Sequence, residues 1–370
     1  MNVHDIIPII DPNPIPGPFW LFKLLLMVTF LLHILAMNMM MGVAVIALAA
    51  KFKIQNEMYQ KLYDNLKSKI PNLLPATITL GVAPLLFAQV LYGPYLYTAT
   101  IISGWVWFSI IILLTVAYYG FYFVSFKKEE KFKKPILILS VALIMFIALI
   151  YTTNVLLYMQ PQYWAEKYFE QPAGAHLFLD DATLIPRFLH FIIGALAIGG
   201  LFVAVIGYLK RKKEPEFAAF LIKHGGRWFM FATMAQFVVG SWFLVALPRE
   251  QMLLFMGKNM AASILLVLSM GLTLLTIFMM SRKLKGEVLQ APVAAISFIT
   301  FIVLVMMIVM RDILRDSYLG PYFRVEELSF QPQWAVLALF LILFAAGILV
   351  WLWMLKKYPF QADVKNEKGV

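Results

Sequence analysis

Two histidines lie inside long apolar segments of the sequence. His33 lies in FLLHILAMNMMM and His190 in RFLHFIIGALAIGG. An ionisable side chain in such a segment is costly and usually faces the interior of a helical bundle, where an imidazole can bind a metal. A hydrogen bond to a neighbouring helix is the simpler alternative for each ring. The pair is therefore the first candidate for chemistry.

The two histidines are expected at the same depth. His33 precedes Lys51 by 18 residues and His190 precedes Lys210 by 20, which at 1.5 Å per helical residue places both roughly 27 to 30 Å from those lysines. The stripe of His190 continues with Ile193, Gly194, Ala197 and Leu201, and its small residues leave room for a flat macrocycle. Tight helix packing is the alternative explanation for Gly194, Gly199 and Gly200. The face of His33 continues with Met37, Met40, Met41 and Ala44.

Several cationic residues gather at the same end of the apolar segments, namely Arg187, Arg249, Lys258, Arg311 and Arg315. Arg187 precedes His190 by one helical turn. Guanidinium groups suit paired carboxylates such as the propionates of a haem. Pairing with Asp312, Asp316 or lipid phosphate is the alternative for these arginines.

The composition predicts an all-α polytopic membrane protein, because 62% of the 370 residues are hydrophobic and 14% are charged. A span needs about 20 apolar residues. Nine runs qualify, at roughly 19 to 50, 75 to 98, 104 to 126, 135 to 158, 185 to 209, 228 to 247, 260 to 281, 290 to 310 and 334 to 355. We expect one domain over residues 1–370, and we interpret the first run as a retained span and not a cleaved signal.

The net charge is +11, and the positions of the basic residues indicate the membrane topology. Most Lys and Arg residues fall in alternate segments, at 51–69, 127–134, 210–227, 282–285 and 356–368. By the positive-inside rule these segments are cytoplasmic, which places the N-terminus outside and a short tail, 356–370, in the cytoplasm. The charge therefore predicts no nucleic-acid partner. The outer loops 159–184 and 311–333 are rich in aromatic and charged residues, which is typical of interfacial helices or a docking surface.

Other chemistry is excluded by missing residues. With no cysteine, the chain has no thiolate nucleophile, no disulfide and no cysteine-bound iron–sulfur cluster or c-type haem. The predicted spans contain Asn38, Gln89, Asn154 and Gln236 but no Asp or Glu, so no acid-lined proton path is expected. The sequence also has no P-loop, dinucleotide fingerprint or HExxH motif.

These features resemble the large subunit of the cytochrome bd quinol oxidases. The similar stretches are RFLHFIIGALAIGGLFVAVIGYLKRKKEPEFAAF and its continuation, LLHILAMNMMMGVAVIAL, GVAPLLFAQVLYGPYLY and GKNMAAS. The resemblance implies that His190 and Met260 are the axial ligands of a low-spin haem b. It also implies that His33 binds a second iron, and that Arg187, Arg311 and Arg315 hold propionates. One to three haems b and a quinol or quinone are the implied ligands.

The sequence departs from that family at three places. Gln89 stands where the family has a membrane glutamate, and MRDILRDSYLGPYF keeps an arginine but lacks the preceding glutamate. The long quinol-binding loop is reduced to PREQMLLFMGKN. These departures favour electron transfer between quinol and an outer-face acceptor, such as a c-type cytochrome, over oxygen reduction.

The predicted location is the cytoplasmic membrane of a prokaryote, with the lipid bilayer as surroundings and a second membrane subunit as a further partner. A divergent terminal quinol oxidase is one alternative function. A haem-free membrane anchor or transporter, in which the histidines bridge helices, is the other.

Overall fold

The structure, a computed structural model, describes residues 14–284 and 286–357. Its helices are α1 (Phe19–Lys51), α2 (Glu57–Lys67), α3 (Ile70–Ile102), α4 (Gly104–Phe126), α5 (Glu130–Met159), α6 (Trp164–Glu170), α7 (Leu184–Lys210), α8 (Pro215–Ala246), α9 (Arg249–Leu253), α10 (Met260–Leu284), α11 (Val293–Leu319) and α12 (Trp334–Lys357). The predicted tail lies outside the described residues from 358 onward.

Nine of the helical segments in the described ranges are long and apolar enough to cross a membrane. They are α1, α3 with α2 leading into it, α4, α5, α7, α8, α10, α11 and α12. Helices satisfy every backbone amide internally, as a lipid environment requires. The prediction of an all-α polytopic membrane protein with nine spans is confirmed.

Helices α1 and α7 touch through glycine, and this contact sets their relative height. A Cβ on Gly199 would lie 2.5 Å from the Cα of Gly42, so the two backbones meet with no side chain between them. Gly42 follows His33 by nine residues and Gly199 follows His190 by nine. The two helices run in the same direction across the membrane, so the contact agrees with the predicted equal depth of the two histidines.

The glycines after His190 serve two purposes. A Cβ on Gly200 would meet the backbone of Phe229 at 2.5 Å, so Gly199 and Gly200 are explained by tight helix packing. Gly194 and Ala197 instead line an internal cavity. The small residues therefore serve helix packing on one face of α7 and line the cavity on another.

Helix α11 is longer than the sequence predicted. The run was expected to end near residue 310, with no acid inside any span, but the helix continues to Leu319 and carries Asp312, Arg315 and Asp316 into the bundle. Asp312 and Arg315 are buried. These acids follow the predicted run, and the opposite charges of Lys23 on α1 and Arg315 on α11 neutralise them within the bundle.

The outer loop 159–184 contains the short helix α6. Between α11 and α12, Phe330 forms an isolated β-bridge with Ile15, which lies just before α1. The Ile15 amide donates to the Ser329 carbonyl at 3.0 Å, and the Gln331 amide donates to the Ile15 carbonyl at 2.9 Å. The segment before α1 is thereby tied to the outer end of α12.

Candidate functional site

A cavity of about 410 Å³ lies between α1, α7, α8, α10 and α11. Most of its wall is apolar, with aromatic rings from Phe30, Phe191, Phe229, Phe237, Phe243 and Phe255. On α7 the lining runs from Arg187 to Ile198, which is roughly 16 Å along the helix axis. The cavity therefore occupies the outer and middle depths of the bundle.

His190 faces this cavity. Its ring lies against Gly240 of α8, where a Cβ would be 3.5 Å from the imidazole Cε1. The Nδ1 atom is buried without a hydrogen-bond partner. A buried imidazole nitrogen without a partner is unfavourable, and a metal or a bound group would satisfy it.

Gln236 of α8 holds the helix turn that carries His190. Its Nε2 donates to the His190 backbone carbonyl at 2.7 Å, and Gly194 makes room for this amide because a Cβ there would lie 2.8 Å from Nε2. The Gln236 Oε1 remains buried and without a partner on the cavity wall. In the sequence, Gln236 is only a polar residue inside a predicted span. Its contact with α7 is visible only in the folded chain.

Two arginines lie at the outer end of the cavity without an anionic partner. Arg187 is 8% exposed, and its Nε and Nη2 atoms are buried without hydrogen bonds. Its guanidinium carbon lies 4.7 Å from the ring centroid of Phe243, and that of Arg311 lies 4.2 Å from Phe30. Among the described residues neither arginine forms an ion pair, so the outer end of the cavity suits a ligand with two negative groups.

Arg315, unlike Arg187 and Arg311, already has an anionic partner. It pairs with Asp312, and its guanidinium carbon lies 4.2 Å from the ring centroid of Tyr92. Lys23 of α1 pairs with Asp312 at 3.1 Å and also with Asp316. The alternative stated for Arg315, pairing with these acids, is what the structure shows.

This cluster also explains Lys23, a charge inside the first apolar run. The Tyr92 hydroxyl completes it by donating to Asp316 Oδ1 at 3.1 Å. The contact of Lys23 and Tyr92 with these acids has no sequence motif, although a lysine within a span was a signal that an acid must approach it from another helix.

Met260 does not meet His190. It begins α10, its side chain is 72% exposed, and it is absent from the cavity lining. The methionines that line the cavity are Met270, Met307 and Met310. The short segment Leu254–Lys258 after α9 explains the difference, because it turns at Gly257, which has φ +115°, and leads into α10 at the exposed Met260.

His33 faces α3 and is outside the cavity lining. Its Nδ1 lies 3.0 Å from the Thr77 carbonyl oxygen, and a Cβ on Gly81 would be 2.9 Å from its Cε1. The ring therefore fills the gap that a glycine leaves between α1 and α3. The structure places the two histidines at one depth but in different helix interfaces.

Comparisons of the sequence with protein-family models and with curated proteins find no match. A solved structure is similar: the bd oxidase from Geobacillus thermodenitrificans, with a TM-score of 0.70 and 12% sequence identity. The similarity covers 94% of this chain and 100% of that chain. The chain therefore shares the fold of a bd oxidase chain and is a multi-pass membrane protein.

Proposed function

We propose that this chain is a membrane electron-transfer protein that binds one haem b in the cavity beside His190. The observation that carries the proposal is the combination of one unsatisfied imidazole and two unpaired arginines in an otherwise apolar chamber. A haem has an apolar ring, an iron that takes an imidazole nitrogen, and two propionates. Bound there, it would supply one-electron redox chemistry.

The residues of the chain have distinct roles in this proposal. His190 would bind the iron, oriented by the Gln236 amide on its carbonyl. Arg187 and Arg311 would pair with the propionates and Gly194 and Ala197 would admit the ring, while Met270, Met307 and Met310 are the thioethers available on the cavity wall. Met260, His33 and Arg315 are left out of the site, because the first is exposed, the second faces α3 and the third is paired with Asp312.

We further propose quinol as the electron donor. Oxidation of a quinol to the quinone would release two protons and two electrons. A single haem held by His190 would carry these electrons one at a time, so the outer-face acceptor would have to take the first before the second could follow. The described residues that line the cavity include no Asp or Glu. Asp312 and Asp316 lie toward the outer end of α11, so the protons are expected to leave outward.

The electron acceptor in this proposal is a c-type cytochrome on the outer face. Three exposed carboxylates, Glu166, Glu170 and Asp180, surround Lys167 there. Hydrogen bonding to Lys167 lowers the pKa of Asp180, so the group stays ionised at neutral pH. One lysine balances only one of these charges, which leaves an acidic surface that suits a basic partner. Electron transfer to a basic cytochrome should then slow as salt rises.

The remaining elements of the proposal follow the bd-like fold. We place the chain in the cytoplasmic membrane of a prokaryote, with a second membrane subunit as a further partner. In the most apolar 18 residues of α12 only 6% are buried in the chain, so this helix is available to lipid or to such a subunit. Oxygen consumption with quinol alone is not expected, because Gln89 takes the position of the family's glutamate.

Spectra of the purified chain test the haem. We expect reduced-minus-oxidised bands of a b-type cytochrome and one haem per chain. Both should be lost in His190→Ala and retained in His33→Ala and Met260→Leu, which serve as matched controls. A colourless protein, or bands that survive in His190→Ala, would overturn the proposal. Bands halved in His33→Ala would instead establish a second haem.

A further inference from the structure

The predicted cytoplasmic ends of α4 and α5 carry a dense group of lysines. Lys127 and Lys128 lie in the connection between the two helices, and Lys131 and Lys134 lie in the first turns of α5. All four are exposed, and none of them forms an ion pair with another described residue. We call these four residues the lysine patch.

The neighbouring acids do not neutralise the lysine patch. A carboxylate oxygen of Glu130 lies 2.7 Å from Lys51 Nζ and the other lies 2.6 Å from Lys133 Nζ, so this acid is already shared by two buried lysines. Glu129 is exposed and forms no ion pair within the described part of the chain. Its single negative charge leaves the patch with a positive excess. The patch therefore attracts an anion from outside the chain.

Exposed phenylalanine rings position two ammonium groups of the lysine patch. Lys134 Nζ lies 3.9 Å from the ring centroid of Phe52, which follows α1, and Lys131 Nζ lies 5.8 Å from that of Phe132. Phe52 is 53% exposed and Phe132 is 51% exposed. An ammonium group has three donors, and a contact with the face of a ring leaves donors free for another partner. The two lysines are therefore positioned beside apolar surface and can still bind an anion.

An uncovered apolar stripe of α5 begins directly below these lysines. Ile138, Ala142 and Phe146 follow Lys134 at intervals of four residues, and all three are exposed. Residues four apart lie on one face of a helix, so they form a continuous line that we call the α5 stripe. Cationic groups at one end of an exposed apolar line match a molecule with an anionic head group and acyl chains.

We propose that the lysine patch binds the head group of one anionic phospholipid from the cytoplasmic leaflet, and that the acyl chains of this lipid lie along the α5 stripe. The inference does not depend on haem binding. It also distinguishes this patch from basic residues that only fix the topology. Lys212 and Lys213, in the turn between α7 and α8, are equally exposed but contact no aromatic ring among the described residues, so we expect no bound lipid there.

Paired lysine variants are the first test, measured by native mass spectrometry of the full chain in detergent with added lipid. The parent chain should bind phosphatidylglycerol about thirtyfold more tightly than phosphatidylcholine with the same acyl chains, because each of two lysines beside an anionic lipid contributes roughly a fivefold gain. The double variant Lys131→Gln/Lys134→Gln should lose this preference, and Lys212→Gln/Lys213→Gln should keep it. Equal losses in the two double variants, or no loss in the first, would overturn the proposal.

Thermal unfolding shows whether the variants are folded and whether the lipid stabilises them. Without lipid, both double variants should unfold at the midpoint of the parent chain, because the substituted side chains are exposed. Phosphatidylglycerol should raise the midpoint of the parent chain and of Lys212→Gln/Lys213→Gln, but not that of Lys131→Gln/Lys134→Gln. A midpoint raised equally in all three chains would overturn the proposal.

The aromatic ring and the acyl chains are tested separately. Phe52→Leu keeps an apolar side chain but removes the ring beside Lys134, so the affinity for phosphatidylglycerol should fall roughly two- to fivefold, the range of an exposed cation–π contact. Phe298→Leu, at an exposed ring of α11, is the matched control and should have no effect. Glycerol phosphate has the anionic group without acyl chains, so at equal concentration it should not displace the lipid. Displacement by glycerol phosphate, or equal effects of the two phenylalanine variants, would overturn the proposal.

Discussion

At the residue scale, the function of each charged side chain is decided by its partner. Arg187, Arg311 and Arg315 look equivalent in the sequence, as arginines at the outer ends of apolar runs. The fold gives Arg315 a carboxylate on its own helix, whereas Arg187 and Arg311 have only aromatic rings beside them. A guanidinium group away from water requires a counter-charge, so these two point to an anionic ligand.

A paired comparison of arginine variants tests this distinction. In Arg187→Gln the haem should dissociate to a scavenging apoglobin roughly ten- to hundredfold faster, because one charged hydrogen bond to a propionate is lost. The thermal midpoint should change little. In Arg315→Gln the haem should stay, but the free energy of unfolding should fall by about 3 kcal/mol, because among the described residues Lys23 is then the one ion-pair partner left to the buried Asp312. The account is contradicted if the two variants exchange these effects.

The sequence predicts the residue types of the site but not which of them come together. The depth of His33 and His190 follows from counting residues along a regular helix, and the structure agrees with it. The direction in which each ring points depends on helix rotation and on which helix is the neighbour, and neither is encoded in spacing. His33 therefore faces α3, and Gln236 donates a hydrogen bond to the His190 carbonyl of α7. No sequence pattern predicts either contact.

At the element scale, bilayer thickness determines most of what can be predicted. The nine apolar runs match nine helical spans, because a segment that crosses lipid must be both apolar and long enough. The ends of helices are less predictable where charges on different helices neutralise one another. Lys23, Asp312 and Asp316 are far apart in sequence and in contact in the fold, so α11 extends past residue 310.

The close approach of α1 and α7 gives a prediction about packing. In Gly199→Ala the new Cβ would lie 2.5 Å from the Gly42 backbone, so the helices must separate, at a cost of about 1–3 kcal/mol in the free energy of unfolding. The matched control is Gly271→Ala in α10, where a Cβ would meet nothing within 4 Å. That variant should be neutral or up to about 1 kcal/mol more stable. Thermal unfolding in detergent measures both, and equal stabilities would contradict the packing described.

At the scale of the whole molecule, the outer surface responds to acid. Pairing with Lys167 lowers the pKa of Asp180 below its ordinary value of 3.8. A carboxyl whose pKa is depressed by folding adds stability above its unfolded pKa and loses it as the pH falls through the folded value. We therefore expect amides 164–180 to exchange hydrogen faster below about pH 4, relative to the intrinsic rate. In Asp180→Asn exchange should already be faster at pH 7, and an unchanged rate in that variant would contradict the pairing.

Haem binding depends on features at all three scales. It needs the His190 imidazole, the packing of α7 on α8, and a cavity between five helices. The most direct measurement is a cryo-electron microscopy map of the full chain purified from its membrane. We predict planar density beside His190, with two extensions toward Arg187 and Arg311. Lipid chains in the cavity, or helices α10 and α11 closed against α7, would contradict the account.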